Sequence, residues 1–566
     1  MNKIKNSAFF LAVAIVVLII VNWLASQVHF RFDLTEDKRY SLNKATVNLV
    51  KNLEDPVQID VFLKGEFPAG FRKLATTTQE FLQTIKEENS SRISYRFISP
   101  EDEIPGTGKT YADSLVSLGV SPINLTVQVK SGQENKLVYP VAVVSNSNSS
   151  TIVNLYSGGR RVISHSEMNN AEAMMEYNFT KAFDDLNKTT KPLVAYSIGN
   201  GEPTQAEAYS MMEALRENYT PFLFNLNNNK VIPDTFKALI VVKPSVPFND
   251  AQKLAIDQFV MRGGKLLWFI DGLYAEQDSL RYKTETIAYD RSLNLDDLLF
   301  RYGVRINPDL IMDLQSDFMP FAVGGDATNP QYEFLHWNYY PLFESKENHL
   351  INKNLGLVTG RFVNSIDTVG GEGLRKTVLL SSSSNSKLLK TPVLISLNEN
   401  RNTPEDAAFR ENNIPAAVLV EGKFTSLYKA RVSKTTIDSL NAAGFPYKDV
   451  SGDNKVIIVA DGDIVLNDVS TQYGPLPLGM NLFTAGTQYE YQFANRQFLI
   501  NCLEYLLSNP VIIQTRNKEI VLRLLDSKKV NEQKTTWQLI NIALPILIVI
   551  IFGFIYQYLR KRKYAV

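Results

Sequence analysis

Both ends of this chain are apolar runs long enough to cross a bilayer, and almost nothing between them is. Residues 8–24 read AFFLAVAIVVLIIVNWL and residues 539–558 read LINIALPILIVIIFGFIYQY. A membrane-spanning helix needs about 20 mostly apolar residues, and no ionisable side chain interrupts either run. Lys3 and Lys5 precede the first run, and Arg560, Lys561, Arg562 and Lys563 follow the second. The positive-inside rule then keeps both termini in the cytoplasm and puts the whole middle on the far side of the membrane. Trp23 and Trp537 fall at the outer edges of the runs, where amphipathic rings settle. The first run exceeds the usual apolar region of a signal peptide and ends in the poor cleavage site LASQ, so an uncleaved anchor is expected. Pro545 inside the second run is compatible with a membrane helix.

Composition narrows the function classes. The 59 basic and 59 acidic residues balance, and no basic stripe marks a nucleic-acid partner. A hydrophobic content of 45% suits folded domains rather than a disordered stalk. The single cysteine, Cys502, rules out an intrachain disulfide, a CxxC pair and a cysteine zinc cluster, and its setting FLINCLEYLL reads as a helix core. His29, His165, His336 and His349 show no metal-ligand spacing. Neither a metal nor a cofactor is expected.

Between the runs the pattern is α/β. Ser41 reads as the N-cap of a first helix. It is followed by a strand at 57–63, an amphipathic helix at 67–88, a strand at 93–99 and a short helix at 111–118. LTVQVK and KLVYPVAVVS read as a hairpin across the turn at 131–135, and a helix follows over 166–186. The order β-α-β-α-β-β-α is that of a thioredoxin-like domain over 31–190, unable to do thiol chemistry without cysteines. A second domain spans 191–510. Its apolar strands at 193–199, 238–244 and 265–271 alternate with helices, as in a parallel sheet covered on both faces. Residues 329–450 read as a β-rich insertion, after which KVIIVADGDIVLND restores the buried-strand pattern. Residues 1–30 hold the cytoplasmic start and first span, 511–536 a linker, and 537–566 the second span and basic tail.

Several of these blocks together resemble a known family. FDLTEDKRYSLNKATVNLVKNLEDPVQIDVFLKGEFPAGFRKL, the GNGE loop, QFVMRGGKLLWFID, NLDDLLFRYGV and NRQFLINCLEYLL are similar, in order and spacing, to the GldG family of gliding-motility ABC-transporter auxiliary proteins. The resemblance runs along essentially the entire chain. It implies a Bacteroidetes-type inner-membrane protein working with an ABC-2-type permease and a cytoplasmic ATPase. It also implies that the α/β domain is of the GIFT type, related in fold to class I glutamine amidotransferases. Relatives often carry His in a GHGE loop, where this chain has Asn200.

The sharpest candidate site is Gly199-Asn200-Gly201-Glu202, between the first strand of the second domain and a helix. Ligands of open parallel sheets bind at the carboxyl ends of strands, and glycines let them approach the backbone. The plainer reading is a tight turn with Glu202 complementing the helix dipole. Asp271 and the Asp461-Gly462-Asp463 triplet also end buried strands; with Glu202 they could line one acidic crevice, or simply make turns. Arg160 and Arg161 form a basic turn that could pair with a partner's anion, or stay solvated. No GxSxG elbow or Walker motif occurs, so the chain does not use ATP itself. The expectation is a non-enzymatic auxiliary subunit, with an envelope scaffold or a hydrolase acting through Glu202, Asp271 and Asp461 as the alternatives.

Overall fold

The computed structural model describes residue 13, residues 15–20, and residues 41–564 apart from 121, 130–131, 157–164, 187–189, 276, 278–279, 281–282, 327–328, 345–348, 372, 398–405, 508–509 and 518–526. The chain forms two compact units, 1–519 and 520–566.

In the larger unit, the helix Lys44–Lys51 is capped by Asn43 rather than by Ser41. The Asn43 side chain accepts from the Ala45 N–H, and its own N–H donates to Glu176 Oε1 at 2.5 Å, so a distant helix fixes where this one begins. β1 (Val57–Val61) follows, with Val57, Ile59 and Val61 buried, then the helix Ala69–Glu88 and β2 (Ile93–Phe97). The short helix Tyr111–Ser117 starts with a capping box between Thr110 and Asp113. β3 (Ile123–Val129) and β4 (Gly132–Val138) form an isolated hairpin. β5 (Val141–Ser145), β6 (Ser150–Asn154) and the helix His165–Leu186 complete the region.

The hairpin corrects the sequence reading of 136–145 as one strand. Val129 pairs with Gly132, so the turn is shorter than expected, and the returning strand stops at Val138. Pro140 has no N–H to continue a ladder. The Val141 N–H folds back onto the Tyr139 carbonyl, and β5 leaves to join a different sheet. That sheet has the order β2-β1-β5-β6, with β1 and β2 parallel and the other neighbours antiparallel.

A seven-stranded sheet forms the body of the rest. β7 (Leu193–Ile198), β8 (Thr220–Asn225), β9 (Ala238–Val242), β10 (Lys265–Phe269) and the strand Val450–Val459 run parallel. The sheet order is Leu374–Ser381, Pro415–Thr425, Val450–Val459, β10, β9, β7, β8. Its first two strands are antiparallel to their neighbours, so the sheet is mixed where an all-parallel one was expected. Both come from the segment read as an insertion. Ala416 to Val420 are all buried, a continuous apolar run that belongs inside a sheet covered on both faces.

Strand alternation feeds two cores. Tyr196, Ile240, Leu267, Phe269 and Ile457 pack on one face with the helices Tyr209–Asn218 and Asn495–Leu507. Ala195, Leu239, Val241, Trp268 and Ile458 pack on the other, against Ile256, Phe259 and Val260 of the helix Asp250–Arg262. That helix has a capping box of Asn249 with Gln252 and ends at Gly263, φ 109°. Cys502 lies fully buried in the first core, and burial pushes its thiol well above the usual range, as befits a small core hydrophobe. Short strands between 273 and 396 enclose a further aromatic cluster around Trp337, Tyr339 and Tyr340.

In the smaller unit, the helix Ser527–Tyr564 contains a candidate membrane span, Gln533–Arg562. Thirty residues make about 45 Å of helix, enough to exceed a hydrocarbon core of roughly 30 Å. Its apolar side chains, Leu539, Val549 and Phe552 among them, are exposed. Of the first apolar run, Val13 and residues 15–20 are helical and exposed; the rest, Trp23 included, lies outside the described residues.

Candidate functional site

The GNGE loop leaves β7 at the carboxyl edge of the large sheet. Gly199 and Gly201 have φ of 118° and 81°. A Cβ on Gly201 would stand 2.0 Å from Ser245 Oγ, so close packing against the loop after β9 requires glycine there. Glu202, 7% exposed, turns back into its own loop. Its Oε1 accepts from the Ser197 hydroxyl at 2.7 Å and its Oε2 from the Asn200 N–H at 2.7 Å. Asn200 is buried: its carbonyl accepts from the Ser245 and Val246 N–H groups, and its Oδ1 from Gln252 Nε2 at 3.0 Å. Gln252 Nε2 also reaches Asn227 Oδ1, and Asn227 Nδ2 donates to the Gly199 carbonyl at 2.8 Å. These donors and acceptors are taken by the turn and its neighbours, which favours the plainer reading of the loop.

Asp271, Asp461 and Asp463 do come together, with carboxylate oxygens within 4.8 Å of one another beyond the ends of β10 and the strand Val450–Val459. Glu202 is not in that group. A side chain that sequence reasoning missed sits among them. Lys243, just past β9, places its Nζ 2.7 Å from Asp463 Oδ1 and 3.2 Å from Asp271 Oδ2. Its backbone is left-handed, φ 45°, a sparsely populated conformation for lysine. Only its strand-end position marked it, and lysines at strand ends are common.

Backbone donors take further oxygens. Asp271 Oδ1 accepts from the Gly462 N–H at 2.5 Å, Asp461 Oδ1 from the Asp463 N–H at 2.7 Å, and Asp461 Oδ2 from the Arg361 N–H at 2.8 Å. Burial, then the charges of Asp463 and Asp271, push the Asp461 carboxyl well above the usual carboxylate range. Three oxygen ligands could serve a divalent cation, but the lysine ammonium already supplies the positive charge. Nearby, the Arg361 guanidinium grips Asp468 through two contacts of 2.7 Å and lies 5.4 Å from the Tyr340 ring centre.

Sequence reading also missed a cleft of about 700 Å³ flanking the end of β10. Ile270, Gly272, Leu293, Leu299 and Leu427 line it together with charged residues from 290–305 and 429–431. The NLDDLLFRYGV block held the signal, an acidic start and a basic end on one short helix, Asp296–Arg301. Arg160 and Arg161 lie outside the described residues.

Comparison with known proteins follows this geometry. An uncharacterized protein of Borreliella burgdorferi (strain ATCC 35210 / DSM 4680 / CIP 102532 / B31) is 20% identical over the full length of both chains. Among solved structures, the mmIFT52 N-terminal domain aligns over 56% of this chain and 98% of its own, at 12% identity and a TM-score of 0.31. The exo-beta-1,4-mannosidase Op5Man5 from Opitutaceae bacterium strain TAV5 covers 77% of this chain and 52% of its own, at 11% identity and a TM-score of 0.18. Residues 36–145 match a domain of unknown function, DUF7088. Residues 191–502, the seven-stranded sheet and its flanking loops, match the family described as an ABC-type uncharacterized transport system, and by this match over more than half its length the chain belongs to that ABC-transport auxiliary family.

Proposed function

We propose that this protein is a non-enzymatic, membrane-anchored auxiliary subunit of an ABC-2-type transporter, binding substrate or coupling ATPase-driven movement to its folded body. The observation that carries the reading is the family match over 191–502. The exposed apolar helix Gln533–Arg562 supports an anchor, and the basic residues after it support a cytoplasmic C-terminus. The first apolar run supports a second anchor, with the body in the periplasm. The strand order β2-β1-β5-β6, one parallel and two antiparallel pairings, supports a thioredoxin-like first domain over 31–190. The sequence resemblance supports a GIFT-type domain over 191–510 and a link to gliding motility.

One or two spans are too few to enclose a translocation path, so a permease supplies it and a cytoplasmic ATPase drives it. The inward-turned Glu202 and the Lys243-held aspartates argue against the hydrolase alternative, which needs a free acid and base facing substrate. Affinity purification of the tagged full chain after mild detergent extraction tests the proposal. An ABC permease and ATPase are expected to co-purify in fixed ratio; their absence overturns it. Protease shaving of spheroplasts is expected to degrade the body, and protection of the body would overturn the topology.

A further inference from the structure

β8 is the outer strand of the seven-stranded sheet, and among the described residues no strand pairs with the side that faces away from β7. The Thr220 N–H donates to the Pro192 carbonyl and the Leu226 N–H to the Ile198 carbonyl. Strand geometry repeats every two residues, so the even-numbered residues of β8 turn their backbone groups to β7 and the odd-numbered ones turn theirs outward. The outward set is Pro221, Leu223 and Asn225. Pro221 has no N–H to offer. The Asn225 carbonyl is already used, accepting from the Asn228 N–H at 3.3 Å and from Asn229 Nδ2 at 2.8 Å. What the edge presents is the Pro221 carbonyl, both backbone groups of Leu223 and the Asn225 N–H, none with a partner among the described residues.

Such an edge takes up an added strand unless charge or shape forbids it. Residues 218–229 hold no Lys, Arg, Asp or Glu. The exposed side chains are apolar on both faces of the strand, Phe222 at 55% and Leu223 at 50%. Pro221 does disfavour most partners, because the carbonyl placed opposite its missing N–H is left without a donor. One strand escapes that cost, a second β8. In an antiparallel pairing with Leu223 on the two-fold axis, Leu223 exchanges both bonds with Leu223 of the second copy, and each Asn225 N–H donates to the Pro221 carbonyl opposite. The carbonyl that meets the missing proline N–H is then that of Asn225, which Asn228 and Asn229 already satisfy. Phe222 falls opposite Phe224 of the second copy on one face, and the two Leu223 side chains meet on the other.

We propose that β8 pairs with β8 of a second copy of this chain, antiparallel about Leu223, joining two seven-stranded sheets edge to edge. The inference goes beyond the auxiliary-subunit reading and stands on the sheet edge alone.

The test is sedimentation velocity of the full-length protein in detergent micelles over a concentration series, joined to cross-linking with a short thiol-reactive bifunctional reagent. Cys502 is buried, so the reagent reads an introduced cysteine. The parent is expected to pass from one copy to two as concentration rises. Leu223→Cys is expected to cross-link copies. Thr220→Cys is not, because the two Thr220 positions lie three residue steps either side of the axis, about 20 Å apart. Leu223→Lys sets two ammonium groups opposite one another and should weaken self-association about tenfold or more. The position is half exposed in a single copy, so folding does not depend on it. Single copies at every concentration overturn the proposal, as do Thr220→Cys cross-linking as readily as Leu223→Cys and association unchanged by Leu223→Lys. An added extended peptide that occupies β8 while the parent stays a single copy overturns it too.

Discussion

Breaking the buried ion pair between Glu504 and Arg516 should cost more from the acid side than from the basic side. Glu504 and Arg516 are 2% and 1% exposed, with Arg516 Nη2 2.7 Å from Glu504 Oε2. The guanidinium lies 4.1 Å from the Tyr177 ring centre, and the Tyr177 hydroxyl donates to the same carboxylate oxygen. Lys181 Nζ stands 3.6 Å from Glu504 Oε1. The pair therefore bolts three segments together: the helix His165–Leu186, the helix Asn495–Leu507 and the turns at 510–517. Glu504→Leu strands a buried guanidinium with only a ring face beside it, which costs about 3–5 kcal/mol. Arg516→Met leaves the carboxylate with Tyr177 and Lys181, and should cost about 1–2 kcal/mol. At about 2 °C per kcal/mol for a unit this large, the expected drops in Tm are about 6–10 °C and 2–4 °C. The double variant should melt between the parent and Glu504→Leu, because it removes both charges together but leaves the buried Tyr177 hydroxyl without its acceptor. Thermal melting of the detergent-solubilised full chain at pH 7, followed by near-ultraviolet circular dichroism, reads all three. The reasoning fails if Arg516→Met melts below Glu504→Leu, or if the double variant melts as low as Glu504→Leu.

Gly201→Ala should destabilise by about 1–3 kcal/mol, since a Cβ would collide with Ser245 Oγ at φ 81°; urea unfolding at two temperatures checks it. Lys243→Met removes the ammonium from Asp271 and Asp463 and should leave an acidic trio that calcium stabilises; a calcium-dependent rise in Tm is expected in the variant and none in the parent. His349 accepts from the Ile351 N–H through Nδ1, and burial depresses its pKa to about 4, from about 6.5 in an unfolded chain. The unfolded chain thus binds the extra proton between those values, so stability is full above pH 6.5 and falls as pH drops toward 4. The loss should be about 2 kcal/mol after allowance for the partly exposed ring, and His349→Phe should flatten that limb in urea titrations across pH 4–7.

The elements legible in the sequence were those whose burial is local. β7, β9 and β10 are largely apolar and sit between Gly, Pro and Asn turns, so their type and approximate limits follow from a run of side chains. The helix Asp250–Arg262 announces itself by Asn249 and Gly263. What was not legible depends on partners far along the chain. Asn43 replaces Ser41 as a cap because Glu176, 133 residues away, holds its N–H. Pro415–Thr425 joins the large sheet by pairing with Val450–Val459, and no periodicity announces that pairing. The candidate site divides the same way. Asp271 and Asp461 were visible as strand-end acids, but the cation that meets them comes from Lys243, whose importance is set by register across β9 and β10. Glu202 stays outside the aspartate group because Ser197 at the end of β7 and the Asn200 N–H of its own loop donate to its carboxylate.

That distribution of partners moves the search for ligand chemistry off the sheet edge. An open α/β sheet offers ligands the backbone donors and side chains left over where its strands end. In this fold the Asn200 and Gly462 N–H groups are spent on Glu202 and Asp271, and Lys243 meets the charges of Asp271 and Asp463. A ligand entering there would have to displace contacts of 2.5–3.2 Å, each already desolvated, and regain them all. Beside β10 the cleft is lined by the short helix Asp296–Arg301, whose Asp297 is held by Lys253, and by Lys429 and Arg431, which have no ion pair among the described residues. Uncommitted charge beside apolar side chains is what a ligand can use at small desolvation cost. The large sheet thus uses its strand-end acids in its own packing, and the cleft flanking β10 is where side chains such as Lys429 and Arg431, without an ion pair among the described residues, face solvent.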